Sequence, residues 1–150
     1  VSRDKTSFFG VNSRIDAVNA EVLSYRLKKL KSIIKKRNRN VNLYKKYLKT
    51  DKVNIPNNNK NEINSYVMFL TLCEKRDKLQ KYLAKNKIQS LVYYGTPLHL
   101  HGAAKKLGYK KGDFPVAENI SRKVLAFPHH QYLSEDQIKF VCDKINSFYR

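Results

Sequence analysis

Asn12, Ser13 and Arg14 stand directly before a long segment of periodically spaced apolar residues. Asparagine and serine are preferred helix N-cap residues, so one interpretation is a simple cap with Arg14 on the surface. The other interpretation is an anion site. A helix N-terminus offers free N–H groups and a partial positive charge, and arginine adds a forked, charged donor. The residue types alone leave both interpretations open.

The four histidines occur as two pairs, His99 with His101 and His129 with His130. Brought together, two such pairs would suit zinc, but the sequence supplies no clear further ligand or supporting group. We therefore predict no metal site and keep zinc as the alternative. The two cysteines are far apart in sequence and form no CxxC pattern, which favours buried thiols in a reducing compartment, the cytoplasm.

The five glycines match neither a dinucleotide-binding nor a phosphate-binding loop, and no serine lies in a nucleophile elbow. No apolar run approaches the roughly 20 residues of a membrane-spanning helix. These absences argue against P-loop NTPases, Rossmann dehydrogenases, serine hydrolases of the elbow type and transmembrane proteins.

The formal net charge is +19, and the first fifty residues carry fourteen Lys or Arg against three Asp or Glu. Such a basic segment suits a polyanion, so a basic α/β nucleic-acid-binding module is the alternative function. The simpler explanation is a solvated helix face. The Tyr and Phe residues fall at core spacing rather than on an exposed stacking platform, which argues against nucleic acid.

Apolar periodicity predicts one long helix over residues 16–48 and strands over 66–73, 88–94 and 125–127. Shorter helices are expected after Asp77, over 103–107 and from Pro115, where Asp113 is the expected cap and Val116, Ile120 and Val124 the inner stripe. The capping box Ser134–Gln137 opens a last helix. We predict an α/β fold, a small α/β sandwich with a short antiparallel or mixed sheet and one long N-terminal helix. Residues 1–50 would form a linking segment and the long helix, and residues 51–150 a small α/β domain.

Three ordered motifs resemble one protein family. G-V-N-S-R-I-D-A-V-N-A begins at Gly10, V-Y-Y-G-T-P-L-H-L begins at Val92, and L-G-Y-x-x-G-D-F-P-V-A-E begins at Leu107. They resemble segments of the DegT/DnrJ/StrS sugar-nucleotide aminotransferases, enzymes of fold type I that depend on pyridoxal phosphate. Nearly the whole chain is covered, but it corresponds only to the C-terminal part of such an enzyme.

The resemblance implies transfer of an amino group, usually from glutamate, to a nucleotide-linked keto-sugar, as in the biosynthesis of amino sugars and cell-surface polysaccharides. It also implies a homodimer, in which Asn12 contacts the cofactor phosphate of the partner subunit and Arg14 lies beside it. Tyr94 and His99 would lie at the sugar-nucleotide entrance. For His99, a loop histidine bonded to backbone is an equal alternative. Asp113 and Glu118 are expected to be a cap and a surface residue.

The lysine that anchors the cofactor in this family lies upstream of G-x-N-S-R in a glycine-rich context that the present sequence lacks, and the aspartate that pairs with the cofactor ring is missing as well. The chain is therefore expected to contain no catalytic residue and to be inactive alone. Gly95 replaces the usual proline, and Tyr93 replaces a frequent histidine. A non-catalytic regulatory relative on the same scaffold is a third possibility.

Overall fold

The computed structural model describes residues 14–59 and 61–150. In chain order, the regular elements are α1 (Ala17–Leu27), α2 (Leu30–Tyr47), β1 (Val53–Asn54), β2 (Phe69–Cys73), α3 (Arg76–Lys85), two 3₁₀ helices (Leu98–Leu100 and Gly102–Leu107), α4 (Pro115–Lys123), β3 (Val124–Phe127) and α5 (Glu135–Phe148). The strands form one sheet in the order β1-β2-β3, and β1 pairs antiparallel with β2. The predicted α/β class with a short sheet is confirmed.

The chain divides into two compact units. Among the described residues, one unit comprises 51–56 and 70–127, and it contains the sheet (apart from Phe69), α3 and α4. Its centre is made of fully buried side chains from α3, β2 and β3: Cys73, Leu79, Leu83 and Leu125. Inside it, Arg76 of α3 donates to the carbonyl of Val124, and Thr71 donates to the carbonyl of Leu125.

The other unit comprises 14–50, 57–69 without residue 60, and 128–150, with α1, α2 and α5. Helix α2 packs against α5. The ring of Tyr44 is fully buried, lies 4.8 Å from the ring of Phe69, and donates its hydroxyl to the carbonyl of Pro128 at 2.7 Å. Ser134 and Gln137 form the predicted capping box at the start of α5, with Ile138, Val141 and Ile145 buried.

The predicted long helix is divided into α1 and α2 at Lys28 and Lys29. The backbone N–H of Lys29 bonds to the carbonyl of Arg26, three residues back. This spacing is that of a 3₁₀ turn, which is tighter than an α-helical turn and separates the two helices. Asp16 caps α1 by accepting from the N–H of Asn19 at 2.9 Å. No residue of α1 is buried, so its apolar side chains are exposed in this chain.

The strand predicted over 125–127 is confirmed by β3, the one over 66–73 was too long, and the one over 88–94 was wrong. Strand β2 begins only at Phe69, because Tyr66 has a φ of +43°, while Val67 and Met68 are exposed. Residues 88–94 form no strand, and Leu91 alone pairs with Ala126, in one antiparallel bridge.

Both predicted acidic caps were wrong. The N-cap position of α3 is Lys75, and Asp77 instead pairs with Arg76 at 2.6 Å. Asp113 accepts from the N–H of Lys110 in a preceding turn, while α4 starts with Pro115 as predicted.

Two further expectations were met. The helical turn of Gly102–Leu107 ends at Gly108, whose φ of +79° suits glycine and few other residues. Cys73 and Cys142 are fully buried free thiols. Burial raises the pKa of Cys73 to about 11 and that of Cys142 to about 12.

Candidate substrate cavity

Two adjoining cavities lie in the unit that contains the sheet. The larger, here the Tyr94 cavity, has a volume of about 620 Å³ and is lined by Tyr93, Tyr94, Thr96, Pro97, Leu98, His101, Ala117, Ile120, Ser121 and Val124. The smaller, here the His99 cavity, has about 330 Å³ and is lined by Leu98, His99, Ala104, Leu107, Tyr109, Phe114 and Ala117. Leu98 and Ala117 line both. The structure thus places the two predicted substrate residues in neighbouring cavities.

The loop from residue 93 to residue 101 positions the polar groups of the Tyr94 cavity. Pro97 precedes a short 3₁₀ turn, and the ring of His101 lies 3.1 Å from the carbonyl of Thr96, which ties the loop to itself. Tyr94 is 60% exposed, so its ring and hydroxyl are open to a ligand. The cavity combines aromatic and apolar walls with a few hydroxyl and imidazole groups, the usual composition of a small-molecule site.

His99 is held far more tightly than Tyr94. Its Nε2 lies 3.1 Å from Oε1 of Glu118, and the two side chains are only 7% and 8% exposed. The imidazole also packs against Phe114 with ring centroids 4.8 Å apart. Nε2 is therefore already occupied, and the expected backbone bond of a loop histidine is made by His101 instead.

Glu118 is the residue that sequence reasoning missed. It was expected on the surface, yet it is buried and accepts from the N–H of Gly112 at 2.7 Å as well as facing His99. Of the inner stripe predicted for α4, only Val124 is buried: Val116 and Ile120 are exposed, and Glu118 and Ser121 are the buried residues of the helix. Glu118 is the last residue of the motif that begins at Leu107. Its place in that motif was the sequence signal that could have identified it as more than a surface residue.

We expect Glu118→Gln to weaken the acid dependence of stability. The N–H of Gly112, together with His99, holds the pKa of the Glu118 carboxyl below its ordinary 4.5. A carboxyl with a depressed folded-state pKa stabilises the fold above its unfolded pKa, and this contribution is lost as the pH falls through the folded value. Urea unfolding between pH 3 and 7 should show a shallower acid loss for Glu118→Gln, with Glu21→Gln on exposed α1 as the control. Equal pH profiles for wild type and Glu118→Gln would contradict the assignment.

The predicted cofactor residues can be placed only in part. Arg14 is exposed, two residues before the cap of α1, and Asn12 lies outside the described residues. Every described lysine is exposed except Lys144, which is half-buried on α5, and no lysine lines either cavity. Because pyridoxal phosphate is held as a Schiff base on an active-site lysine, neither the Tyr94 cavity nor the His99 cavity supplies the residue that would anchor it.

Two further observations concern the other predictions. Within residues 14–59 and 61–150, no three His, Cys, Asp or Glu side chains cluster as metal ligands, so the zinc alternative gains no support there. No helix in the same ranges has the length and hydropathy that a membrane crossing needs.

The family model described as the DegT/DnrJ/EryC1/StrS aminotransferase family matches residues 2–146. The chain belongs to this family. Among curated relatives, the "Pleiotropic regulatory protein" of Geobacillus stearothermophilus is 33% identical to the present chain over 144 residues. The match covers 94% of the chain and 39% of that protein. The chain is 27% identical to the "dTDP-3-amino-3,6-dideoxy-alpha-D-galactopyranose transaminase" of Aneurinibacillus thermoaerophilus, covering 94% of the chain and 38% of the relative.

The fold of this family member also matches solved structures. The crystal structure of DesV from S. venezuelae, in complex with a ketimine intermediate, aligns with a TM-score of 0.84 and 30% identity over 98% of the chain and 40% of DesV. The chain therefore spans about two fifths of the length of the relatives it matches. The resemblance found from three short motifs is confirmed as family membership.

Proposed function

We propose that this chain is the C-terminal part of a pyridoxal-phosphate-dependent aminotransferase that moves an amino group, from glutamate, to a nucleotide-linked keto-sugar in the cytoplasm. The family supports the reaction type, and relatives that carry the names of sugar transaminases support the substrate class. The observation that supports the chain's own role is the Tyr94 cavity, which is open to small molecules and is lined in part by the motif that begins at Val92, through Tyr93, Tyr94, Thr96, Pro97 and Leu98. Residues 1–50 would link this part to the rest of the enzyme, and residues 51–150 would form its small domain, whose helix α5 packs against α2 of the linking segment.

In this proposal the cofactor is held mainly by parts of the parent polypeptide outside the present chain. Asn12 and Arg14 would add donors to a phosphate in the partner subunit of a homodimer. Tyr94 would provide an open aromatic wall for the sugar nucleotide. The geometry of His99 favours a supporting role. Its bond to Glu118 would hold in place the wall that separates the Tyr94 cavity from the His99 cavity. Because Nε2 makes this bond, only Nδ1 of His99 is left for a substrate contact.

Tyr94→Ala in the full-length parent is expected to raise KM for the sugar nucleotide about tenfold and to leave kcat nearly unchanged, because an aromatic wall binds the ground state and the transition state alike. The control is Tyr132→Ala, since Tyr132 is 77% exposed and lines neither cavity. Steady-state kinetics with saturating glutamate measures both constants. An unchanged KM, or an equal change in the control, would remove Tyr94 from the substrate site.

The basic face of α2 gives the nucleic-acid alternative some structural support. Exposed side chains on α2 include Lys31, Lys35, Lys36, Arg39, Lys45 and Lys46. No exposed row of aromatic rings accompanies them on α2, where Tyr44 is fully buried and Tyr47 is half-buried. Charge without stacking or base contacts gives binding that depends on salt and not on sequence.

We therefore expect any DNA binding by the chain to be non-specific and largely lost by about 0.2 M salt, because it would rest on counterion release alone. Fluorescence anisotropy with two duplexes of unrelated sequence, between 0.05 and about 0.3 M NaCl, measures this. Tight binding that distinguishes the two duplexes at 0.2 M salt would favour the nucleic-acid module instead.

A further inference from the structure

A third cavity, unlike the other two, is strongly basic. It has a volume of about 700 Å³, lies where the start of α3 meets the end of α4, and shares no lining residue with the Tyr94 and His99 cavities. We name it the basic cleft, lined by Cys73, Glu74, Lys75, Arg76, Asp77, Lys78, Arg122 and Lys123. Five of these eight residues are cationic and two are acidic.

Both acidic residues of the basic cleft already have cationic partners. A carboxylate oxygen of Glu74 lies 3.8 Å from Nζ of Lys52, outside the cleft lining. Asp77 lies 2.6 Å from Nε of Arg76. The side chain of Arg76 is only 10% exposed and also donates to the carbonyl of Val124 at 3.0 Å. Arg76 therefore ties the start of α3 to β3 in the wall of the basic cleft. The pairs neutralise the acids and leave the other cations uncompensated.

Four cations remain around one cavity: Lys75, Lys78, Arg122 and Lys123. All four are exposed, and in the described ranges none of their side chains has a hydrogen bond or an ion pair. Like charges gathered around a concave surface repel one another and raise the local concentration of anions. The arrangement therefore favours the entry of an anion.

The helix dipole accounts for only two of these four cations. Arg122 and Lys123 lie in the last turn of α4, where cations complement the helix dipole. Lys75 and Lys78 lie at the start of α3, where the helix end is itself positive and no side chain caps it. Lys75 and Lys78 are thus placed against the preference set by the helix dipole and have no partner within the chain. Such departures from local preference are expected at functional sites.

We propose that the basic cleft binds a small polyanion with two phosphate groups. Cations face the cavity from two helices, so a diphosphate can contact both sides at once, whereas a single phosphate would leave much of the charge unpaired. No aromatic ring lines the cleft, so nothing there would stack on a base. Nothing in this site depends on the aminotransferase assignment, and either proposal can fail alone.

The test is a titration of the ¹⁵N-labelled chain with sodium diphosphate at constant ionic strength, followed by amide shifts. We expect saturable shifts confined to residues 73–78 and 121–124. Lys78→Ala combined with Arg122→Ala should weaken binding about tenfold, the effect of losing two exposed charge contacts. Lys31→Ala combined with Lys35→Ala, a matched pair on α2, should bind like wild type.

Four results would overturn the proposal. Shifts spread over all basic surfaces, or an equal loss in the α2 pair, would show unspecific attraction. Tighter binding of adenosine diphosphate than of diphosphate, with shifts around Tyr94, would assign the anion to that cavity. Loss of binding in the charge-conserving pair Lys78→Arg with Arg122→Lys would show that charge is not the cause, and we expect that pair to retain binding.

Discussion

The 150-residue chain is expected to catalyse no transamination when it is mixed with pyridoxal phosphate, glutamate and a nucleotide-linked keto-sugar. The cofactor reacts with amines, but catalysis needs a lysine held in an enclosed site and a carboxylate beside the cofactor ring. The described lysines are solvent-exposed or, for Lys144, half-buried, and neither apolar cavity contains one. The visible spectrum, borohydride trapping and an assay for the amino sugar measure the outcome together.

Exposed lysines give a useful internal control for this experiment. Free pyridoxal phosphate should label many of them weakly, and its phosphate should favour the lysines of the basic cleft, Lys75, Lys78 and Lys123, over those of α2. The mapped sites after borohydride reduction should therefore be several, each labelled in part. Stoichiometric trapping at one lysine, together with transamination faster than that of the free cofactor, would refute the expectation.

Asn12→Ala in the full-length parent is expected to weaken retention of pyridoxal phosphate about ten- to a hundredfold. The neutral amide of Asn12 suits a close hydrogen bond to a phosphate oxygen, and one lost bond to a charged group costs about 1.5–3 kcal/mol. The cap of α1 is Asp16, so if Asn12 makes no phosphate contact, its replacement should leave cofactor affinity unchanged. Equilibrium dialysis and urea unfolding separate the two outcomes, and Ser13→Ala is the neighbouring control.

A mixed dimer tests whether Asn12 acts across the subunit interface. One subunit lacks the cofactor-binding lysine, and the other carries Asn12→Ala. If the sites are shared between subunits, the single intact lysine faces a partner with an unaltered Asn12, and that site keeps wild-type affinity. If the mixed dimer binds as weakly as the Asn12→Ala homodimer, Asn12 serves its own subunit and the assignment across the interface fails.

Local signals in the sequence predicted three ends of elements correctly, although the acidic caps Asp77 and Asp113 were wrong. Gly108 ends its turn, Pro115 starts α4, and Ser134 with Gln137 caps α5, because each of these depends on backbone geometry within four residues. Apolar periodicity was less reliable. It predicted a strand over 88–94, but there the side chain of Gln80 bonds to the carbonyl of Ser90, a bond that sequence alone does not show.

The candidate site shows the same limit. Motifs located the loop that carries Tyr94 and His99, since the loop is contiguous in sequence. The burial of Glu118 could not be predicted, because it depends on His99 and Gly112, nineteen and six residues away, meeting around one carboxylate. Polar residues on a helix are usually exposed, and only the three-dimensional pairing reverses that expectation.

The two buried thiols have a practical consequence for how this protein can be labelled. Alkylating reagents react with the thiolate, and burial raises the pKa of Cys73 to about 11 and that of Cys142 to about 12, so both thiols stay protonated at pH 7. Burial also keeps reagents away from both sulfur atoms. A single cysteine introduced on an exposed position, such as Lys35 of α2, would therefore react with maleimide dyes far ahead of the native pair. Site-specific fluorophores or spin labels can be attached without first removing any native residue.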